Sequence, residues 1–259
     1  MKVLHCDRTV FYEVASAAFK ILGVDPLCIE VGVFKGDNAK EIHTRIRPRG
    51  LYLVDAWSEA EFVASYSPLA DKPEWLDDPS SQFNYYGGDA TTNELWENIY
   101  RKVVLMFSKY NEVSIHRSDS AKAAKMFKRE NLKFDFIYID SSHQYEYVFR
   151  DLMFYRDLAS DDSMIQLNDC CHSEYGVKQN LGVLEAVVKF IKVSGYKPIC
   201  INTKDFSDIL LVPPVSKLGE IIDDIFFNSN LNYIEVPVQI LGASFVRVNK
   251  HGKSVLSFC

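Results

Sequence analysis

The sequence predicts an α/β fold, a doubly wound sheet of seven mostly parallel strands closed by an antiparallel hairpin. Three observations predict it. Short runs of continuous apolar residues, of the length of a strand buried on both faces, recur along the chain. Segments with apolar residues at helical spacing separate them, and the connections carry Gly, Asp and Asn turn signals. Alternation of this kind produces parallel strands joined by crossover helices.

The elements follow in order. FYEVASAAFKIL (11–22) has helical spacing and stops at Gly23, a C-cap, so a helix precedes the first strand. PLCIEVGVF (26–34) is the first strand, followed by a tight loop at Gly36, Asp37 and Asn38 and a helix over AKEIHTRI. GLYLVDAW (50–57) is a second buried strand ending at Asp55. EVSIHRSDS (112–120) is a third, with Asp119 or Ser120 capping the helix AKAAKMFKREN. FDFIYID (134–140) is the fourth, and Val148, Leu152, Tyr155 and Leu158 then fall on one helical face. SMIQLND (163–169) is the fifth, ahead of a helix around LGVLEAVVKFIKVSG; KPICINT and FSDILLVP form the closing hairpin.

Two pieces fall outside this alternation. Residues 58–98, rich in Pro, Gly, Asp and aromatics, are too long for an ordinary connection and read as a lid over the site or as a passive surface insertion. Its aromatics, with Trp57, are Tyr66, Trp75, Phe83, Tyr85 and Tyr86, which can stack on a sugar ring or a planar aromatic. Residues 215–259 form a C-terminal extension beyond a main domain of 1–214. Its apolar content suits packing on that domain or on a second subunit in a homo-oligomer.

Composition bounds the function. A chain of 259 residues with 47% hydrophobic content can build one large core, and two equal domains are disfavoured. A formal charge of -6 gives no broad basic face, so no nucleic-acid partner is expected and small molecules or carbohydrates are. No window approaches the roughly 18 uninterrupted apolar residues of a membrane span, and MKVLHCDRTV lacks a signal-peptide core, so no membrane partner and a cytoplasmic location are expected. Cysteines at 6, 28, 170, 171, 200 and 259 have no C-x-x-C spacing; core thiols are expected rather than disulfides or a zinc site.

In an open α/β sheet ligands bind beyond the carboxyl ends of the strands. Every strand read above ends there in an acidic group: Glu30, Asp55, Asp119, Asp140 and Asp169. Stability alone predicts no such regularity, because a desolvated carboxylate without a partner costs free energy. A dinucleotide fingerprint would need glycine where Phe34 stands, so close approach to a pyrophosphate is blocked. Gly32 and Gly36, with Asp55 ending the next strand, suit a ligand with a ribose and no pyrophosphate.

IEVGVFKG, LVDAW, RSDS, FDFIYIDSSHQYEYVFRDL, QLNDC and LGVLEAVVKF resemble the class I S-adenosylmethionine-dependent methyltransferases, in the branch of macrocin-type sugar and natural-product O-methyltransferases. The likeness spans about residues 10–213. Its most specific parts are I-D-x-x-H-x-Y-x-x-V-x-x-D from Ile139 to Asp151 and G-V-x-x-A-V from Gly182 to Val187. The resemblance implies a Rossmann-like fold with S-adenosylmethionine as cofactor. It implies that Glu30, Gly32 and Gly36 line the methionine part, that Asp55 holds the ribose hydroxyls, and that Ser118 and Asp119 lie by the adenine. Phe34 and Asp140 complete the cofactor-binding set.

It further implies a divalent cation, Mg2+ or Mn2+, on Asp140, Asn168 and Asp169. Neighbouring strands about 4.8 Å apart would let Asp140 and Asp169 share an ion that also lowers the pKa of a substrate hydroxyl. Asn168 stands where relatives commonly carry a second aspartate, which removes one negative charge from that set. For the proton acceptor, His143 is one candidate and Asp140 another, with His172 third. The polar, acidic strand ends favour a sugar hydroxyl as acceptor. A phenolic natural product, a nicotinamide-dependent oxidoreductase and a non-catalytic S-adenosylmethionine-binding scaffold are the alternatives.

Overall fold

Fully buried runs with no polar face to offer solvent can only lie inside a sheet covered on both sides, and that is where they are found. The computed structural model describes residues 1–66, 78–173, 182–204, 206–251 and 254–258. Its central strands are β2 (Leu27–Val31), β3 (Gly50–Asp55), β5 (Phe134–Ile139) and β6 (Ala159–Leu167). To these are added β1 (Lys2–Leu4), β4 (Val113–Arg117), β8 (Lys197–Asn202), β9 (Ile209–Val212) and β10 (Tyr233–Glu235), in the order β10-β1-β8-β9-β6-β5-β2-β3-β4. A short β7 (His172–Ser173) pairs with β11 (Phe245–Val248), which pairs with β12 (Ser254–Ser257) in a second sheet.

The stretch from β8 to β4 is the expected seven-stranded sheet: parallel pairing through β6, β5, β2, β3 and β4, and antiparallel pairing of β9 with both β6 and β8. It is extended to nine strands by β1, parallel to β8, and β10, antiparallel to β1. Three residues are too few to display a period, so Lys2–Leu4 gave no strand signal; its pairing with Cys200–Asn202 is decided by distant residues. β6 also begins at Ala159 rather than 163.

Helices cover both faces. α1 (Thr9–Leu22), α2 (Asp37–Ile46), α5 (Asn93–Phe107) and Leu218–Phe227 bury their apolar stripes in one core. α6 (Ser120–Arg129), α7 (Tyr145–Arg156) and Val183–Ser194 do so in the other. Leu218–Phe227 lies against α1, and Tyr233–Glu235 continues the main sheet. Between β3 and α5 the chain forms α3 (Glu59–Tyr66) and α4 (Pro79–Tyr86); Trp75, assigned to the lid, lies outside the described residues. Cys6, Cys28, Cys170, Cys171 and Cys200 are buried free thiols. Among the described residues no helix is long and apolar enough to cross a membrane.

The register positions the site. Val31 pairs with Val54 on one side and Ile139 on the other, and Ile139 with Leu167, so β2, β3, β5 and β6 end along one edge. Strand order reverses between β2 and β5, and a crevice opens there because the loops leave in opposite directions.

Candidate active site

The β2–α2 and β5–α7 loops meet at that reversal with no room for a side chain. Gly32 sits at φ 89°, and a Cβ placed on it would lie 2.0 Å from the Asp140 carbonyl oxygen. Asp55 wraps the loop: its Oδ2 accepts from the Val33 and Phe34 amides, both at 2.9 Å, and its Oδ1 from the Trp57 amide at 2.8 Å. Those bonds hold Phe34 at φ 51°, a left-handed conformation that is unusual for a bulky residue. Asp55 is thus an organiser of the loop as well as a wall of the crevice, a role that nothing in a strand-end carboxylate announces.

The crevice is a cleft of about 380 Å³. Glu30, Gly32, Phe34, Asp55, Ser118, Asp119 and Asp140 all line it, as does His143. Gly36 does not. It turns the chain into α2 at φ 84° and packs on Phe107, Val103 and Met106 of α5. Tyr147 and Arg150 of α7 also line the cleft and were not anticipated, because a polar residue on an amphipathic helix reads as solvated surface. The lid aromatics divide. Phe34 stacks on Tyr85 at 5.6 Å and, with Tyr86, Phe62 and Trp96, walls one side of the cleft. Trp57 is fully buried in the core and also borders the cleft, with its Nε1 donating to the Phe34 carbonyl.

Glu30 lines the cleft from within β2. Its side chain is buried; Oε1 accepts from Asn38 Nδ2 at 2.8 Å, and Oε2 has no partner among the described residues. Burial raises its pKa well above the usual carboxylate range. A buried carboxylate oxygen without a partner, on a residue that lines the cleft, suits a cationic ligand group, whose arrival restores the charge. Glu30→Gln is therefore expected to weaken binding of S-adenosylhomocysteine, which carries an ammonium, by at least about tenfold. Calorimetric titration measures this, and an unchanged affinity would remove Glu30 from the ligand.

Beyond Asp140 the polar groups crowd. His143 Nε2 lies 3.2 Å from Asp140 Oδ1 and 3.4 Å from Asp169 Oδ2, bridging the two carboxylates. Burial opposes its charge, but Asp169 and the hydrogen bond to Asp140 outweigh it and raise the His143 pKa to about 9. Burial pushes Asp169 up to about 6. Arg8, just ahead of α1, donates from Nη1 to the Tyr138 hydroxyl at 2.8 Å, and its Nη1 and Nε lie 3.9 Å from Asp140 Oδ2 and 3.5 Å from Asp208 Oδ1. Asp208 is fully buried and also accepts from Tyr138 and Gln166. His172 stands apart, its Nδ1 3.5 Å from Glu185 Oε1, and lines no part of the main cleft.

The structure brings Asp140, Asn168 and Asp169 together as expected, but not as a cation cradle. Asn168 turns its amide nitrogen, not its oxygen, toward Asp140 Oδ1 at 3.1 Å, and the imidazolium of His143 occupies the space between the carboxylates. Among the described residues no three His, Cys, Asp or Glu side chains form a group that could hold a metal ion. The expected Mg2+ or Mn2+ thus finds no support here; His143 and Arg8 stand against the acidic charge that would draw a cation.

Residues 29–170 match the family model described as a methyltransferase domain, over half of the chain. Among curated proteins none matches the chain. Solved structures that resemble it include a fibrillarin from Aeropyrum pernix with bound S-adenosyl-L-methionine, at 13% identity and TM-score 0.45 over 78% of this chain and 76% of that one. A putative caffeoyl-CoA O-methyltransferase from Staphylococcus aureus gives 12% and 0.48 over 81% and 86%. An O-methyltransferase from Bacillus cereus gives 13% and 0.48 over 80% and 83%.

Proposed function

The chain belongs to the methyltransferase-domain family, as an enzyme of the class I, S-adenosylmethionine-dependent kind, and on that premise we propose that it methylates a hydroxyl of a small molecule, most fittingly a sugar or glycan. Membership of that family sets aside the oxidoreductase and the non-catalytic scaffold. The observation that carries the hydroxyl reading is the row Asp140–His143–Asp169 beside the methionine end of the cleft.

Methyl transfer asks the protein to align an acceptor oxygen in line with the sulfonium and to take its proton. The oxygen–carbon bond forms as the carbon–sulfur bond breaks, which leaves a neutral thioether and a proton to place. With a pKa of about 9, His143 is an imidazolium at neutral pH, so the ionised carboxylates of the row receive that proton while His143 holds them in place. The carboxylates and Asn168 also suit the adjacent hydroxyls of a sugar ring. Tyr85, exposed and lining the cleft, supports a second reading, a planar phenolic acceptor.

Incubation with S-[methyl-14C]adenosylmethionine and matched panels of sugars and phenols separates the two, and label on neither class, or on nitrogen, would defeat both. No step of this reading passes through a metal. Protein freed of metal by chelation is therefore expected to transfer methyl at an undiminished rate; a loss of tenfold or more that Mg2+ restores would return the cation to the site.

A further inference from the structure

Arg150 is restrained more tightly than a surface arginine on an amphipathic helix needs to be. Asp151, fully buried, accepts from Ser120 Oγ at 2.8 Å, from Ser141 Oγ at 3.0 Å, and from Arg150 Nε and Nη2, both at 3.0 Å. Arg150 Nη2 also donates to Ser120 Oγ at 2.7 Å and lies 3.8 Å from Asp119 Oδ2. The guanidinium carbon stands 5.1 Å from the centre of the Tyr147 ring. One edge of the guanidinium is thus pinned by a buried carboxylate and one face rests on a ring, which fixes the plane of the group.

What remains is Nη1. It has no hydrogen-bond partner among the described residues, and Arg150 and Asp119 both line the cleft. At that end the wall offers a guanidinium donor beside a carboxylate acceptor.

We propose that Arg150 is a specificity-determining residue for the base of the cofactor. Its Nη1 donates to a ring nitrogen of adenine while Asp119 accepts from the exocyclic amine. This rests on the methyltransferase reading, in which the ammonium of the cofactor meets Glu30 and the adenine lies by Asp119. Adenine presents an amino donor next to a ring-nitrogen acceptor. Hypoxanthine, of the same size, presents a carbonyl acceptor next to a ring N–H, so its oxygen would face the carboxylate and its N–H the guanidinium. A site built on such a pair rejects the reversed pattern strongly, because its polar groups are left unpaired.

Calorimetric titration of the full chain with S-adenosylhomocysteine and S-inosylhomocysteine tests this in the wild type, Arg150→Met and Arg150→Lys. The wild type is expected to prefer the adenosyl compound by at least about a hundredfold. Arg150→Met is expected to weaken the adenosyl compound by about tenfold or more and leave the inosyl compound within about twofold, so that the preference collapses. Arg150→Lys keeps the charge that Asp151 needs and is expected to fall between the two; it serves if the methionine variant does not fold. An equal loss for both ligands would make Arg150 a support for Ser120 and Asp151 and nothing more, and overturn the proposal, as would no loss for either. Wild-type protein that binds neither ligand would overturn the cofactor reading, and this assignment with it.

Discussion

Asp140→Ala is expected to lower methyl transfer by at least about a thousandfold while S-adenosylhomocysteine still binds within about threefold of wild type. The two halves of this result come from two parts of one residue. Its backbone serves the cofactor side: the amide donates to the Val31 carbonyl at 2.8 Å and the carbonyl packs on Gly32, neither of which alanine disturbs. On the proposed reading its carboxylate serves the acceptor side; it lies against His143 Nε2 and Asn168 Nδ2 and faces Arg8. Without it, His143 keeps Asp169 alone and the row loses the member nearest the cleft. Single-turnover transfer and calorimetric binding on the same preparation measure both halves. Loss of binding in parallel with loss of transfer would reassign Asp140 from the acceptor to the cofactor.

Gly32→Ala is expected to be the most damaging small substitution, abolishing detectable cofactor binding and costing roughly 3 kcal/mol or more of stability. The added carbon would stand 2.0 Å from the Asp140 carbonyl oxygen, 2.4 Å from its carbon and 2.6 Å from the Ser141 nitrogen. All three are backbone atoms, so no rotamer change relieves the clash, and the two loops must part. Gly87→Ala separates this from conformational preference. Gly87 has a similar φ of 87° with nothing within 4 Å of its Cβ position, and its substitution is expected to cost only about 1 kcal/mol. Chemical denaturation of both variants makes the comparison. Equal costs would mean that the crowding at the loop crossing is not what requires glycine.

Much of the cleft was legible because burial leaves a local mark. Leu27–Val31, Gly50–Asp55 and Phe134–Ile139 are mostly apolar because they are covered on both faces, and the carboxylates Asp55 and Asp140, at or just past the strand ends, mark where the covering ends. That locates Asp55 and Asp140 at the crevice without coordinates. Of the strand ends expected to be acidic, Glu30, Asp55, Asp119 and Asp140 line one cleft, while Asp169 meets it through His143. The reading reached its end where the same letters have two geometries. Asp140, Asn168 and Asp169 are adjacent whether a cation or an imidazolium lies between the carboxylates, and only the orientation of His143 and of the Asn168 amide separates those cases.

The sequence by itself determined the alternation of strand and helix, and hence a doubly wound sheet with its ligand at the carboxyl edge, because periodicity records whether each segment is buried on one face or two. Only the tertiary structure decided the charges around the acceptor. Arg8 reaches Tyr138 across 130 positions and the Asp208 carboxylate across the sheet, and Lys2–Leu4 pairs with Cys200–Asn202. Which distant segments become neighbours depends on the order of strands, and that order is a property of the whole packed sheet rather than of any run of residues within it.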